Sequence, residues 1–288
     1  MRSLLFVPGD APRKLAKAMA SGADALILDL EDSVAPSGKA PARQLLRDFM
    51  FDARRQSVRP RLFVRINGLE TGLADPDLDA IMPAGPDGIV LPKSRSGADV
   101  QHLGAKLAVQ EAENGLPDGG CAIIPLVTET AASLFGLSSY AGASQRLLGM
   151  AWGAEDLSAA LGAQTNRLPD GDFTAPYQLA RTLTLIGARA AEVEPIDTVF
   201  NAFRDEAGLR RDCEAARRDG FTAKMAIHPA QVPIINEIFT SSTEAVARAQ
   251  AIIAAFAENP QASVIALGDE MLDRPHLLRA QGVLARAK

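Results

Sequence analysis

Short apolar runs rich in Leu, Ile and Val recur along the chain, each closed off by Gly, Pro or a charged cluster. They read LLFV (from Leu4), ALILDL (from Ala25), LFVRI (from Leu62), GIVL (from Gly88), AIIPLV (from Ala122), LLGMAW (from Leu147), IDTVF (from Ile196) and KMAI (from Lys224). Near-continuous apolar runs, rather than strict alternation, are expected of parallel strands covered on both faces. Helix-like segments lie between them at 13–20, 41–53, 98–114, 130–140, 175–191 and 205–219, with a shorter one around 77–82. Alternation of strand and helix implies a parallel sheet. Eight such units in about 230 residues imply an α/β fold of the closed (β/α)8 TIM barrel type.

Beyond the eighth run the chain continues for about 50 residues, more than a barrel needs. Ser241 followed by Glu244 fits a capping box, opening a helix with Val246, Ile253 and Phe256 along one side. A polar segment, GDEMLDRPH, comes next. No internal repeat, low-complexity tract or linker interrupts the sequence. The expected organisation is a barrel catalytic domain over 1–240 and a C-terminal helical extension or lid over 241–288. LGAQTNRLPDGDF, after the sixth strand, reads as a longer loop on the same end of the barrel as the other strand-to-helix connections.

Composition removes several function classes. The 30 basic and 35 acidic side chains leave a net charge of −5. With a pI near 5.3, nothing here could neutralise a row of phosphates, so nucleic acid is not an expected partner. The N-terminal apolar stretch ends at Pro8 and Gly9, too short for a signal peptide or a span. The longest uncharged run, 130–145, is too rich in Ser, Gly and Ala to cross a bilayer, and no membrane association is expected. Two cysteines, Cys121 and Cys213, build no disulfide framework and suit a reducing, cytoplasmic setting. The three histidines have no zinc-ligand spacing. Among 23 glycines none form a G-x-G, which removes the dinucleotide fingerprint.

The residues just after each strand are more informative. Strand C-termini of a barrel converge on one mouth, where the loops carry chemistry. That mouth should receive Pro8 and Gly9, then Asp29, Glu31 and Asp32, Arg65 with Asn67, Lys93, Glu129, Glu155 and Asp156, Asn201, and His228. Two like charges about 4 Å apart repel by roughly 4 kcal/mol even at an effective dielectric near 20. A hard divalent cation relieves such crowding, and Mg²⁺ takes one or two carboxylates with waters and substrate.

The segments LLFVPGDAPRK, LDLEDSVAP with Lys39 and Arg43 after it, FVRIN, VLPKS, LVTET, WGAEDLSA and MAIHPAQ stand in that order. Together they resemble the CitE-like branch of the HpcH/HpaI aldolase family, which includes the citrate lyase β subunit and the malyl-CoA and citramalyl-CoA lyases. The resemblance runs from residue 3 to about 273. It implies a Mg²⁺-dependent lyase that cleaves or forms a small β-hydroxyacyl-CoA thioester such as citryl-, malyl- or citramalyl-CoA, giving an acyl-CoA and an α-oxo acid. It also implies a homotrimer (or hexamer). Three alternatives stay open: a thioesterase or malate-synthase-like activity on the same site, a β subunit active only with citrate lyase partner subunits, or an aldolase of free α-oxo acids that uses no CoA.

By the same resemblance, Glu129 and Asp156 match the metal ligands and Arg65 matches the arginine that grips the substrate's oxygens, with Glu129 also at the substrate. A planar guanidinium suits a carboxylate better than an ammonium does. Asp273 of MLDRPH matches an aspartate on a lid that reaches a neighbouring subunit's site and would move a proton at the acyl-CoA α-carbon. Each has a plainer account. Glu129 and Asp156 could serve the starts of the following helices, Arg65 a structural ion pair, and the tail could be a polar end. Alternation sends Asp29 and Glu31 to one side and Asp32 to the other. Glu31 or Asp29 then orients Arg65, while Asp32 stands near metal-bound water or is a solvated loop carboxylate. Arg13, Lys17 and Lys39, and equally Lys93, could meet the CoA phosphates or be ordinary surface cations. His228 reads as a hydrogen-bonding loop residue beside the thioester channel, and Trp152 as core.

Overall fold

A computed structural model describes residues 1–287. The chain divides into two compact units, Met1–Asn236 and Glu237–Lys288. In the first, elements run β1 (Ser3–Pro8), α1 (Pro12–Ala18), β2 (Ala25–Asp29), α2 (Lys39–Ala53), β3 (Arg61–Arg65), α3 (Ala74–Ile81), β4 (Gly88–Leu91) and α4 (Gly97–Glu113). They continue through β5 (Ala122–Pro125), β6 (Gly149–Ala151), α5 (Ala154–Leu161), α6 (Ala175–Ala190), β7 (Glu194–Asp197), α7 (Glu206–Asp219) and β8 (Ala223–Ala226); α8 (Val232–Phe239) then begins in the first unit and ends in the second.

All eight apolar runs form strands, and all pairings among them are parallel. The sheet order is β5-β4-β3-β2-β1-β8-β7-β6. Its two ends meet through parallel bridges Ile123↔Leu147 and Leu126↔Ala151 and the 2.8 Å bond from Val127 N to Ala151 O, so the barrel closes. Alternate residues of each strand fill its interior: Leu4, Ala25 and Ile27, Phe63, Val90, Ile124 and Leu126, Ala151, Ile196, and Ala223 with Met225. Continuing the same alternation by one step places Asp29 and Arg65 at the top of that interior.

Residues 130–140 form no α-helix; Ala132–Tyr140 is a 3₁₀ turn series. Ser133 and Ser139 hydroxyls donate to carbonyls three residues back, at 2.6 and 2.5 Å, and Gly136 presses onto the Arg95 carbonyl so closely that a Cβ would lie 2.1 Å from it. Both favour the tighter winding. Helices α5 and α8 have no counterpart among the expected segments.

In the second unit, α9 (Thr243–Glu258) precedes an antiparallel hairpin of β9 (Val264–Leu267) and β10 (Glu270–Asp273), then α10 (Arg274–Arg286). The N-cap of α9 is Ser242 rather than Ser241. Ser242 is extended, and its hydroxyl accepts from Ala245 N at 3.2 Å. Ile252 and Phe256 line the buried side, with Ile253 partly covered. The segment expected to be a polar stretch is instead a hairpin, turned by Gly268 at φ 61° and Asp269. Ile265 and Leu272 form its covered face. No helix of the described residues is long and apolar enough to cross a membrane.

Candidate active site

At the C-terminal mouth of the barrel lies a cavity of about 440 Å³. Pro8, Asp29, Asp32, Arg65, Glu129, Glu155, Asp156 and Asn201 all line it, as the strand-end argument expects. Its floor is apolar, built from Phe6, Leu126 and Met225. A larger groove of about 840 Å³ runs along α6 and α7, lined by Arg167, Arg181 and Asp212, and holds none of the expected site residues.

The anchor is Arg65. As the last residue of β3 it pairs in register with Asp29, the last of β2. Its Nε and Nη2 donate to the two Asp29 oxygens, each at 2.7 Å. Its Nη1 stands 2.9 Å from Glu31 Oε2 without hydrogen-bond geometry, so that contact is Coulombic. Phe6 lies under the guanidinium, 4.9 Å from carbon to ring centroid. Burial alone would lower the Arg65 pKa, but the Asp29 and Glu31 carboxylates more than reverse it. Burial would raise that of Asp29, and Arg65 more than offsets this, leaving it lowered. Asp29 thus orients the arginine through two hydrogen bonds, and Glu31 adds Coulombic attraction.

Asp32 does not point away from its neighbours. Strand β2 ends at Asp29, so alternation no longer governs Asp32, and the turn brings it 3.7 Å from Arg65 Nη1 and 3.8 Å from Lys93 Nζ. Glu31 is buried, and burial raises its pKa despite Arg65 and Lys93.

Glu129 is almost fully covered at 4% exposure. Its Oε2 accepts from the Lys93 backbone amide at 2.6 Å. Burial, reinforced by the charge of Asp156, pushes its pKa up to about 8. Gly153, just before α5, makes room for it: a Cβ there would lie 2.9 Å from Glu129 Cγ. Asp156 sits in the first turn of α5 and stays partly exposed. The plainer account of Glu129 as a helix cap fails, since its side chain caps nothing in the following 3₁₀ segment. Two carboxylates on a shared wall, one buried and short of positive charge, form a hard-oxygen donor set that fits Mg²⁺. Among the described residues no group of three or more His, Cys, Asp or Glu could hold a metal ion.

Glu155, expected only as another mouth carboxylate, has a bracing role. Its Oε1 accepts from Asn166 at 2.8 Å and Asn201 at 2.6 Å, tying the long loop after β6 to the segment after β7. Lys93 matters more than its sequence context suggests, because its ammonium joins the carboxylates. The Lys39 ammonium donates to the Leu30 and Glu31 carbonyls at 2.9 and 3.0 Å and braces that turn. Arg13 and Lys17 lie exposed on α1, just after the Pro8 end of β1. His228 accepts at Nδ1 from Ala230 N and stacks on Phe203 at 4.7 Å. Trp152 is core and donates to Asp197 at 2.8 Å. Asp273 belongs to the second unit, where it N-caps α10 with its carboxylate 2.5 Å from His276 Nδ1.

A parallel eight-stranded barrel with an arginine clamp and paired carboxylates at its C-terminal mouth defines an α/β-barrel enzyme. The chain belongs to the HpcH/HpaI aldolase/citrate lyase family, whose model matches residues 2–229. It is 35% identical to the citrate lyase subunit beta of Leuconostoc mesenteroides subsp. cremoris, over 99% of this chain and 93% of that one. It is 37% identical to a (3S)-malyl-CoA thioesterase of Cereibacter sphaeroides, over 100% and 94%. The crystal structure of CitE from Mycobacterium tuberculosis, in complex with magnesium, acetoacetate and coenzyme A, superposes with a TM-score of 0.79 at 34% identity, covering 99% of this chain and 97% of that one.

Proposed function

We propose that this chain is a Mg²⁺-dependent carbon–carbon lyase that cleaves, or in reverse forms, a small β-hydroxyacyl-CoA thioester. The products are an acyl-CoA and an α-oxo acid. The observation that carries this is a carboxylate pair on the wall of the mouth cavity, Glu129, almost fully buried, with Asp156, sharing that cavity with Arg65. Such a pair is costly unless a cation comes to it. The CitE relative bound to magnesium and coenzyme A supports the same ion and ligand class here.

Glu129 and Asp156 would hold Mg²⁺. The bound ion would supply Lewis acidity toward the hydroxyl and the emerging carbonyl of the substrate. Arg65 presents fixed positive charge where negative charge collects on the acid half, in a covered mouth where one such donor can be worth about 3 kcal/mol. Asp29 and Glu31 keep its fork aimed, which spares reorganisation during the reaction. Asp32, solvent-facing at the rim, is placed to exchange protons with water. Arg13 and Lys17 would meet the CoA phosphates from α1. Asp273 of a neighbouring copy, in a trimer, would move the proton at the acyl-CoA α-carbon.

A second activity on the same site is favoured by the malyl-CoA thioesterase relatives: hydrolysis of the thioester to the free acid and CoA. The test is a panel of citryl-, malyl- and citramalyl-CoA with Mg²⁺, then with EDTA. Lyase activity yields an acyl-CoA and an oxo acid, hydrolysis yields free CoA, and EDTA stops both. No Mg²⁺-dependent turnover of any thioester, alone or with citrate lyase partner subunits, would contradict the proposal.

A further inference from the structure

Lys93 reaches four acidic side chains of the mouth: Glu31, Asp32, Glu129 and Asp156. It follows β4 in the left-handed backbone region, at φ 52°, which a lysine adopts only under constraint. That geometry turns its amide and its side chain toward the same cluster. The amide donates to Glu129 Oε2 at 2.6 Å. The ammonium lies 2.5 Å from Glu31 Oε1, 3.5 Å from Asp156 Oδ1 and 3.8 Å from Asp32 Oδ1. Arg65, the other cation at this cluster, is already engaged by Asp29.

We infer that Lys93 is the positioning residue of this cluster and its resident counter-charge: the amide fixes Glu129, while the ammonium offsets Glu31, Asp32 and Asp156 and thereby weakens the site's hold on a divalent cation. The inference rests on the metal assignment to Glu129 and Asp156. A positive charge 3.5 Å from a ligand oxygen opposes an incoming dication, since the interaction falls only as the inverse of distance and this separation is well inside the screening length of ordinary salt. The same charge relieves carboxylate repulsion whenever the metal is absent. A lysine so placed makes the site assemble without the ion and release it readily.

The test is Mg²⁺ titration by calorimetry of the full chain without substrate, in wild type, Lys93→Met, Lys93→Gly and Lys93→Arg. Glycine adopts the φ of this position freely, so Lys93→Gly keeps a folded reference should methionine disturb the turn. Both uncharged variants should bind Mg²⁺ at least tenfold more tightly, while Lys93→Arg stays within about threefold of wild type. Without metal, Lys93→Met should melt lower than wild type, and saturating Mg²⁺ should close that gap. A purely structural lysine gives the opposite sign, because disordering the cluster loosens the ion. Unchanged or weaker binding in Lys93→Met and Lys93→Gly, with wild-type binding intact, overturns the inference alone. Absence of Mg²⁺ binding in every form removes the metal site and the inference with it.

Discussion

Asp29 and Arg65 are register partners on adjacent parallel strands, and their side chains meet in a two-bond fork with both contacts at 2.7 Å. The backbone ladder thus sets the position of the arginine, and no flexible loop intervenes. Arg65→Lys should keep a positive charge but lose the fork, lowering kcat/KM about 100-fold with a small change in melting temperature. Arg65→Met should also cost about 3–5 kcal/mol of stability, because it leaves Asp29 and Glu31 buried without their partner. Steady-state kinetics with parallel denaturant unfolding checks both.

Asp156→Ala should abolish Mg²⁺-dependent turnover and leave the thermal transition largely intact. Removing this charge relieves Glu129, so the metal-free protein should be no less stable than wild type. A collapsed fold would favour a structural role for Asp156 instead.

Gly153→Ala tests whether Glu129 needs the space beside it. The new Cβ would lie 2.9 Å from Glu129 Cγ, so the carboxylate must shift. Mg²⁺ affinity should drop at least tenfold, while the fold survives with a loss of about 1–3 kcal/mol. Calorimetric titration beside a melting curve separates the two effects.

The pH dependence of metal-free stability follows from Glu129. Its folded-state value of about 8 lies above its ordinary 4.5, chiefly through burial and then through Asp156. Between those limits the folded chain holds a proton that the unfolded chain has released. Stability therefore falls as pH rises from about 4.5 to about 8 and levels off above. Glu31, also raised, adds in the same direction. In EDTA the melting temperature should drop by roughly 10 °C from pH 5 to pH 8.5. Mg²⁺ requires the ionised form, so its stabilising effect should grow over the same range. Melting curves that are flat or rising with pH in EDTA would contradict this account.

Asp273→Asn should retain Mg²⁺ and oxo-acid binding while losing most turnover, read as kcat falling with little change in KM. Unchanged turnover would make the C-terminal hairpin a bystander.

The eight strands are legible in the sequence because each must be apolar on both faces, which leaves a run such as ALILD unmistakable. The mouth residues follow from strand ends alone, and Arg65 with Asp29 needs only the parallel register. Asp32 escapes the pattern because alternation stops at the last strand residue, where a turn takes over. Lys93 is hard to read because its role depends on a positive φ and on carboxylates from three other strand-end segments, distant in sequence. The bracing of the β2 turn by Lys39 from the start of α2 is likewise invisible in the sequence, because its acceptors are the backbone carbonyls of Leu30 and Glu31. The C-terminal hairpin does carry a signal, Gly268-Asp269, obscured by the polar residues around it.

The most direct test is a crystal of the full chain grown with Mg²⁺ and an α-oxo acid. The account predicts an ion held by Glu129 and Asp156, with the acid bound beside it and an acid oxygen within hydrogen-bond distance of Arg65. Glu129 and Asp156 turned away from each other, with no ion between them at saturating Mg²⁺, would contradict it.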